Sequence, residues 1–251
     1  MQQKPCISIV VATWNCRDLL ARMIESLQSQ TFKNWQLLLL DNCSDDGTAE
    51  MVATVQRQHP QQMIVWSSCA DSGIYDAWNR GLALASGQYL CFVGADDVFC
   101  SASSLAAIAS VTQSGADLIT ARNAYYSADG RFLRIWGAHW NWSRMRQSMN
   151  IAHPGMLIRH SLFARFGGFR CEYRICGDYE WFLRLTPDLR AVHLDATILE
   201  IVQAGVSHTC IRQVFAETFR AQRASIGTAK SCVYWLLNWI KYWRRRCIGL
   251  A

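Results

Sequence analysis

The chain has 251 residues, half of them hydrophobic, enough to bury a sizeable core in one large domain or two fused lobes and too apolar for intrinsic disorder. Its net charge of +6 is confined: residues 212–251 hold eight Lys and Arg against one acid, Glu217, while residues 1–211 hold 17 against 18. A balanced body with a cationic tail excludes a nucleic-acid groove and marks a local docking element.

Ile7 to Thr13 is a β-branched run buried on both faces, followed by Leu19, Leu20, Met23, Ile24 and Leu27 at helical spacing. The unit repeats: Trp35 to Leu40 reads as a strand, Thr48 to Gln58 as a helix, Met63 to Ser67 as a strand, Tyr75 to Ala85 as a helix and Gln88 to Val93 as a strand. Strands alternating with short helices predict right-handed crossovers and an α/β fold with a mostly parallel central sheet flanked by helices. A helix around Ser103 to Ser114, a strand near Asp117 to Arg122 and a hairpin through Ser127 to Gly130 come next. An irregular stretch, Trp136 to Met149, leads to His153-Pro154-Gly155, an apolar helix, the Gly167-Gly168-Phe169 turn and a helix opened by Gly177-Asp178.

In parallel sheets the ligand lies beyond the carboxyl ends of the strands. Three acidic segments leave those ends here: Asp41 to Thr48, Asp71 to Asp76, and Gly94-Ala95-Asp96-Asp97. Any one is ordinary, because Asp caps helices and makes turns, as Asp45, Asp46 and Asp76 are placed to do. Converging on one edge they would repel one another unless a cation or polar ligand occupied the space between. An Asp-Asp pair just past an apolar strand suits Mg²⁺ or Mn²⁺, ions commonly shared with substrate phosphates.

These segments give the chain its resemblance to the family-2 glycosyltransferases of the GT-A fold, especially bacterial enzymes that assemble surface polysaccharides. The resemblance runs from about Ile7 to about Leu185 and rests on Thr13-Trp14-Asn15, Asp41 to Thr48, Asp71 to Gly81, Asp96-Asp97, and Gly167-Gly168-Phe169 followed by Asp178. It implies an inverting, metal-dependent enzyme using Mn²⁺ or Mg²⁺, which moves one sugar from a nucleoside-diphosphate sugar to a glycan or polyprenyl-linked acceptor. Thr13, Asn15 and Asp41 would line the nucleotide-sugar pocket, with Asp41 accepting a base N–H and Asp71 and Asn79 helping to close it. Asp96 would stand near the ribose and diphosphate, Asp97 would be the direct metal ligand and Asp178 the general base. Where the family often has another acid, two places before Asp96, this chain has Gly94, which leaves coordination to be completed by water. The Gln-x-x-Arg-Trp signature of processive synthases is absent, so one transfer per encounter is expected.

The chemistry asks for the same residue types. A nucleoside diphosphate leaving an anomeric carbon develops charge that a divalent cation stabilises, and the acceptor hydroxyl needs a positioned carboxylate. Glu180 is a rival base, two residues from Asp178. His153 reads either as a helix-entry histidine satisfied by backbone or, as the resemblance suggests, as a residue beside the diphosphate or acceptor. Trp136, Trp140 and Trp142 are available either to the core or to a sugar or lipid headgroup.

The expected domain organisation is a GT-A domain over residues 1–211, with a nucleotide-sugar half to about 100 and an acceptor half after it, then a basic amphipathic helical tail over 212–251. VYWLLNWIKYWRRR, from Val233 to Arg246, mixes interfacial aromatics with a cationic cluster and fits an anionic membrane surface. It reads alternatively as a helix that packs on protein. The longest apolar run, Cys232 to Ile240, is short of the ~20 residues that span a bilayer. Eleven cysteines, an odd number, behind a start without a secretory pattern, place the chain in the reducing cytoplasm, peripheral on the inner face of the membrane. A dehydrogenase would need Gly-x-Gly-x-x-Gly and an NTPase Gly-Lys-Ser/Thr; neither occurs. A nucleotidyltransferase and a non-catalytic carbohydrate-binding subunit remain as alternatives.

Overall fold

The computed structural model describes residues 5–203 and 205–247. Its first half is the expected βα succession: β1 (Ile7–Thr13), α1 (Arg17–Gln28), β2 (Trp35–Asp41), α2 (Thr48–Gln58), β3 (Met63–Ser68), α3 (Ile74–Leu84) and β4 (Tyr89–Phe92). The second half runs β5 (Val98–Phe99), α4 (Ser104–Ser110), β6 (Leu118–Tyr126), β7 (Phe132–Trp136), α5 (Trp142–Met145), β8 (Leu157–Arg159), α6 (Ser161–Phe166), α7 (Gly177–Arg184) and β9 (Ala191–Val202). Among the described residues three helices follow: α8 (Val206–Thr209), α9 (Ile211–Ile226) and α10 (Thr228–Cys247).

Among the described residues the strands form one nine-stranded sheet in the order β3-β2-β1-β4-β8-β6-β9-β5, with β7 on β6. The β3-β2-β1-β4 half is wholly parallel. Beyond it β8 runs antiparallel to both β4 and β6, and only β6 and β9 pair in parallel. The apolar segment after Gly155, expected as a helix, is therefore divided. Leu157–Arg159 becomes the strand that joins the two halves, and the helix starts only at Ser161. Three residues suffice because β8 is hydrogen-bonded on both sides and buried.

Alternation sorts side chains to the two faces. Ile7, Ile9, Val11, Leu37 and Leu39 share one core with Leu20, Met23, Ile24 and Leu27 of α1, Val52 of α2 and Leu105 and Ile108 of α4. Val10, Leu38 and Leu40 share the other with Tyr75 and Trp78 of α3, Phe163 of α6, and Trp181 and Phe182 of α7. Leu19, included in the helical stripe by spacing, instead faces solvent. The stripe from Leu20 to Leu27 already fills the contact.

The last two helices differ. α9 packs against α7, with Ala221 in the core. α10 lies on α9 through a Phe215–Trp239 stack, ring centroids 4.1 Å apart. Its Val233, Trp235, Leu236, Leu237 and Ile240 are exposed. Among the described residues no helix is long and apolar enough to cross a membrane.

At Gly81 α3 comes close to the sheet: a β-carbon there would stand 2.6 Å from Val10 Cγ1. Gly81→Ala would push α3 off β1, an overpacking that costs about 1–3 kcal/mol. The expected outcome is a lower urea midpoint with an unchanged slope.

Candidate active site

The loops leaving the parallel strands are tied together by side chains on the strand ends. Asp41, 1% exposed at the end of β2, receives the Thr13 hydroxyl from β1 (3.1 Å), the Ser68 hydroxyl from β3 (2.6 Å), and the Ser44 amide (2.9 Å) and hydroxyl (2.5 Å) from its own loop. Burial pushes its carboxyl up, but these donors outweigh burial and hold it below the usual carboxylate range. Asn15, at φ +45°, accepts the Asp45 amide and gives its own amide to Ser44. Asn is among the few side-chain-bearing residues that adopt this conformation readily. Asp46 accepts the Arg17 amide at the start of α1, and Asp76 accepts from Ser72 at the start of α3, so these two acids are caps.

Asp71 extends the array. Its amide donates to Asn42, and its carboxylate accepts from Gly73 and lies 3.0 Å from Arg80 Nη2. Arg80 also reaches the Asp41 carbonyl and the Cys69 sulfur. No role was expected for Arg80, although an arginine in a helix following an acidic loop is a natural counter-charge. Asn79, expected in the same pocket, is turned away from it. Its amide nitrogen donates to the Phe169 carbonyl and its oxygen accepts the Phe169 amide, both at 2.8 Å. It clasps the Gly167–Phe169 turn, and Gly168 is required there because a β-carbon would sit 2.5 Å from the Asn79 oxygen.

After β4, Asp97 closes a tight turn. Its carboxylate accepts the Gly94 amide at 2.7 Å and its amide returns to the Gly94 carbonyl. A β-carbon on Gly94 would stand 2.8 Å from Asp96 Oδ1 and 3.0 Å from Asp97 Oδ2, so the two carboxylates converge over this glycine. Asp96 is half-buried, whereas Asp97 is 3% exposed and no Lys or Arg among the described residues pairs with it. Burial first, and the Asp96 charge second, raise the Asp97 carboxyl to about 7. This pair fits a hard cation that takes its remaining ligands from phosphate and water. Among the described residues no third His, Cys, Asp or Glu completes a closed metal cage.

Asp178 enters from the other half, on the first turn of α7. Its Oδ1 accepts the Tyr179 amide at 2.8 Å and lies 3.1 Å from the Tyr75 hydroxyl, and its Oδ2 lies 3.3 Å from His153 Nδ1. The Tyr75 hydroxyl is also 2.6 Å from the Ile175 carbonyl, so its one proton serves both acceptors. Burial, then the Asp178 charge, raise the Tyr75 phenol well above its ordinary range and keep it a donor. Gly177 makes the contact possible, since a β-carbon there would meet the Tyr75 ring at 2.8 Å. Tyr75 opens α3 directly after the Asp71 loop, so it joins Asp178 to that loop.

His153 is 4% exposed and walled by Trp78, Phe92 and Phe182, and its Nε2 has no partner. It is therefore not the backbone-satisfied histidine of the simpler reading. Its segment runs beside β4, where the Gly155 amide donates to the Phe92 carbonyl. Glu180 is locked away from Asp178 between Arg170 and Arg184, each at 3.3 Å, and Arg184 also donates to the Phe166 and Gly168 carbonyls. Of the three tryptophans, Trp142 donates to the Leu185 carbonyl, Trp140 packs near Phe182 and Trp136 lies against Tyr125.

The model of the family described as "Glycosyl transferase family 2" matches residues 8–172, well over half of the chain. The chain belongs to glycosyl transferase family 2. It is a glycosyltransferase by that membership, and Asp178 lies just beyond the matched stretch. The chain is similar to a "PGL/p-HBAD biosynthesis glycosyltransferase" of Mycobacterium bovis, 28% identical over 216 residues that cover 84% of this chain and 82% of that protein. Among solved structures it resembles S. aureus TarS 1-349 in complex with UDP-GlcNAc, with a TM-score of 0.70 at 19% identity, covering 88% of this chain and 66% of that one. It also resembles the mannosyltransferase PcManGT from Pyrobaculum calidifontis in complex with GDP-Man and Mn²⁺, with a TM-score of 0.65 at 15% identity, covering 87% and 65%. The chain thus spans about two thirds of these structural neighbours. At such identities the likeness shows the fold, the GT-A fold expected from sequence.

Asp97 supplies a pH test. Its folded value lies above the unfolded one, so its protonated form favours the fold below about pH 4, and that stability drains as pH rises to about 7. Asp97→Asn keeps an oxygen for the Gly94 amide and removes the charge. In chelator it is expected to be more stable than the parent by roughly 1–3 kcal/mol at pH 8, with the difference vanishing near pH 4, by urea unfolding.

Proposed function

We propose that the chain transfers a single sugar, with inversion, from a nucleoside-diphosphate sugar to a hydroxyl of a glycan or polyprenyl-linked glycan in bacterial surface-polysaccharide synthesis. The observation that carries this is Asp178, a carboxylate 21% exposed that accepts from the Tyr75 hydroxyl and meets His153, with Tyr75 opening α3 directly after the Asp71 loop. Residues to about 100 would bind the donor and residues 101–211 the acceptor. Thr13, Asn15, Asp41 and Asp71 would shape the nucleotide pocket, with Asp41 acting chiefly through the Ser44 and Ser68 loops that it holds.

Support from relatives is of two kinds. Similar chains carry glycosyltransferase names, and structures of this fold include complexes with UDP-GlcNAc and with GDP-Man and Mn²⁺. Asp96, the more exposed acid, and Asp97 behind it would hold Mn²⁺ or Mg²⁺. When bound there, the cation supplies Lewis-acid stabilisation of charge on the departing diphosphate. Asp178 accepts the proton of the acceptor hydroxyl as that oxygen attacks the anomeric carbon. The Tyr75 hydroxyl and the Tyr179 amide hold one carboxylate oxygen and leave lone pairs of the other toward the acceptor. His153, on that second oxygen, steadies the carboxylate in its aromatic pocket. One base opposite one leaving group gives a single displacement and hence inversion.

The exposed Val233, Trp235, Leu236, Leu237 and Ile240 of α10, beside Lys230, Lys241 and Arg244, fit a cytoplasmic enzyme held on an anionic membrane where lipid-linked acceptors lie.

The deciding experiment incubates the protein with UDP- and GDP-sugars and Mn²⁺ or Mg²⁺. Release of free nucleoside diphosphate supports the reading; release of pyrophosphate, or of nothing, overturns it. Asp178→Asn is expected to keep donor affinity and lose transfer by about 10²–10⁴-fold, and near-normal turnover would remove Asp178 from the role. Replacing Val233, Leu236, Leu237 and Ile240 together by Ser should release the protein from phosphatidylglycerol vesicles in flotation while donor binding persists. Equal flotation of both proteins would make α10 structural.

A further inference from the structure

The segment that delivers Asp178 is not fixed by its own helix. At the start of α7 the Cys176 side chain makes no capping hydrogen bond, and the residues before it form a strap across the surface of α9. The partner is Glu217, the one acid among the last forty residues. It is 8% exposed in the middle of α9. Its Oε1 receives the Arg174 amide at 3.1 Å and Gln213 Nε2 at 2.9 Å, and its Oε2 receives the Ile175 and Cys176 amides, both at 2.9 Å. Three successive backbone donors aimed at one carboxylate form a preorganised anion cradle, the inverse of the usual arrangement in which a helix supplies its own cap.

We propose that Glu217 is a positioning residue for Asp178, setting where the catalytic carboxylate stands by holding the Arg174–Cys176 strap. The linkage runs through two contacts. The Ile175 carbonyl accepts from the same Tyr75 hydroxyl that faces Asp178 Oδ1, so its position decides how that proton is shared. Cys176 also leads through Gly177 straight into Asp178, with Gly177 pressed against the Tyr75 ring. If the strap slips, Tyr75 loses one acceptor and Asp178 moves relative to the donor edge, which is built from β1 to β4. Misplacement of a reacting group by about 1 Å costs up to ~10²-fold in rate. The other contacts between α9 and the strap are weaker: the Cys176 sulfur lies 3.6 Å from the Val214 carbonyl and 3.7 Å from the Thr218 hydroxyl, and Arg220 reaches the Glu172 carbonyl and the Tyr173 ring.

This inference rests on the reading of Asp178 as the base, so the test runs Glu217→Gln and Asp178→Asn beside the parent in the full chain. Glu217→Gln keeps the size and one accepting oxygen but presents an NH₂ group to backbone amides that also donate. The probe is release of UDP from UDP-GlcNAc, or of GDP from GDP-mannose, with water or an added acceptor. Donor affinity is read separately from thermal stabilisation by UDP and Mn²⁺.

The expected result is a folded Glu217→Gln with kcat lowered about 10–100-fold, donor affinity within twofold of the parent, and a shifted acid limb in its kcat–pH profile. A carboxylate that merely held α9 to the body would lower the melting temperature and leave kcat of the folded protein unchanged at 20 °C. The proposal is overturned by a folded Glu217→Gln with kcat within twofold of the parent, by equal losses in donor affinity and kcat, or by failure to fold. If Glu217→Gln is normal while Asp178→Asn is inactive, only the positioning role falls. If Asp178→Asn is active, the base assignment itself falls.

Discussion

A carboxylate sealed under the ends of three strands governs the arrangement of the rest. Burying an ion is costly unless hydrogen bonds replace its water, and Asp41 meets that condition only because Thr13, Ser44 and Ser68 converge on it. Since the donors come from β1, from the following loop and from β3, satisfying one charge fixes three loops at once. From there polar links pass outward to the Asp71 loop, and the start of α3 continues them. Asn15 holds the second loop, Asn42 holds Asp71, Arg80 bridges Asp71 and the Asp41 carbonyl, and Tyr75 carries the chain of contacts to Asp178. Losing one donor would leave part of a buried charge unmatched, at ~1–3 kcal/mol.

The two halves meet through aromatic rings. Trp78 and Phe92 from the parallel half pack with Phe169 and His153 from the other, and Phe182 closes over His153. This wall encloses His153, whose Nδ1 lies 3.3 Å from Asp178 Oδ2, while the Asp178 side chain keeps 21% of its surface exposed. Glu180, two residues away, shows the contrast: it is 4% exposed and both of its oxygens face guanidinium groups.

What could be read from the sequence follows from how local the signals are. Strands β1 to β4 are short apolar runs bounded by turns and alternate with helices, so periodicity found them, and the acidic segments at their ends marked the candidate site. The second half resisted because its strands are not self-evident. β8 is a three-residue piece defined by its neighbours on either side, and β9 carries His193, Asp195 and Glu200 within a run whose pairing to β6 shifts register twice. At the site, residue type suggested the chemistry but not the direction in which a side chain turns. Asn79 stands one residue before Arg80, and helical rotation sends Asn79 to the Phe169 turn while Arg80 reaches the acidic loop. Tyr75 and Glu217 act across separations of 103 and about 40 residues, and no local pattern encodes such contacts.

The cationic tail shows what a charge count alone leaves out. Counted as a block, residues 212–251 are a basic docking segment; resolved into helices, they divide into two surfaces with opposite requirements. The inner helix needs an acid, because the strap in front of Asp178 offers three amide donors and only an acceptor can satisfy them. Burial alone would push that acid toward protonation, yet the strap amides and Gln213 hold it below the usual carboxylate range, so the charge is kept where the amides want it. The outer helix needs no acid, and its apolar side chains lie outward because Phe215 and Trp239 already fill the contact with α9. A single negative charge in a positive segment is thus the signature of a residue that faces the protein and not its surroundings. The helix that carries it belongs physically to the Asp178 half of the molecule.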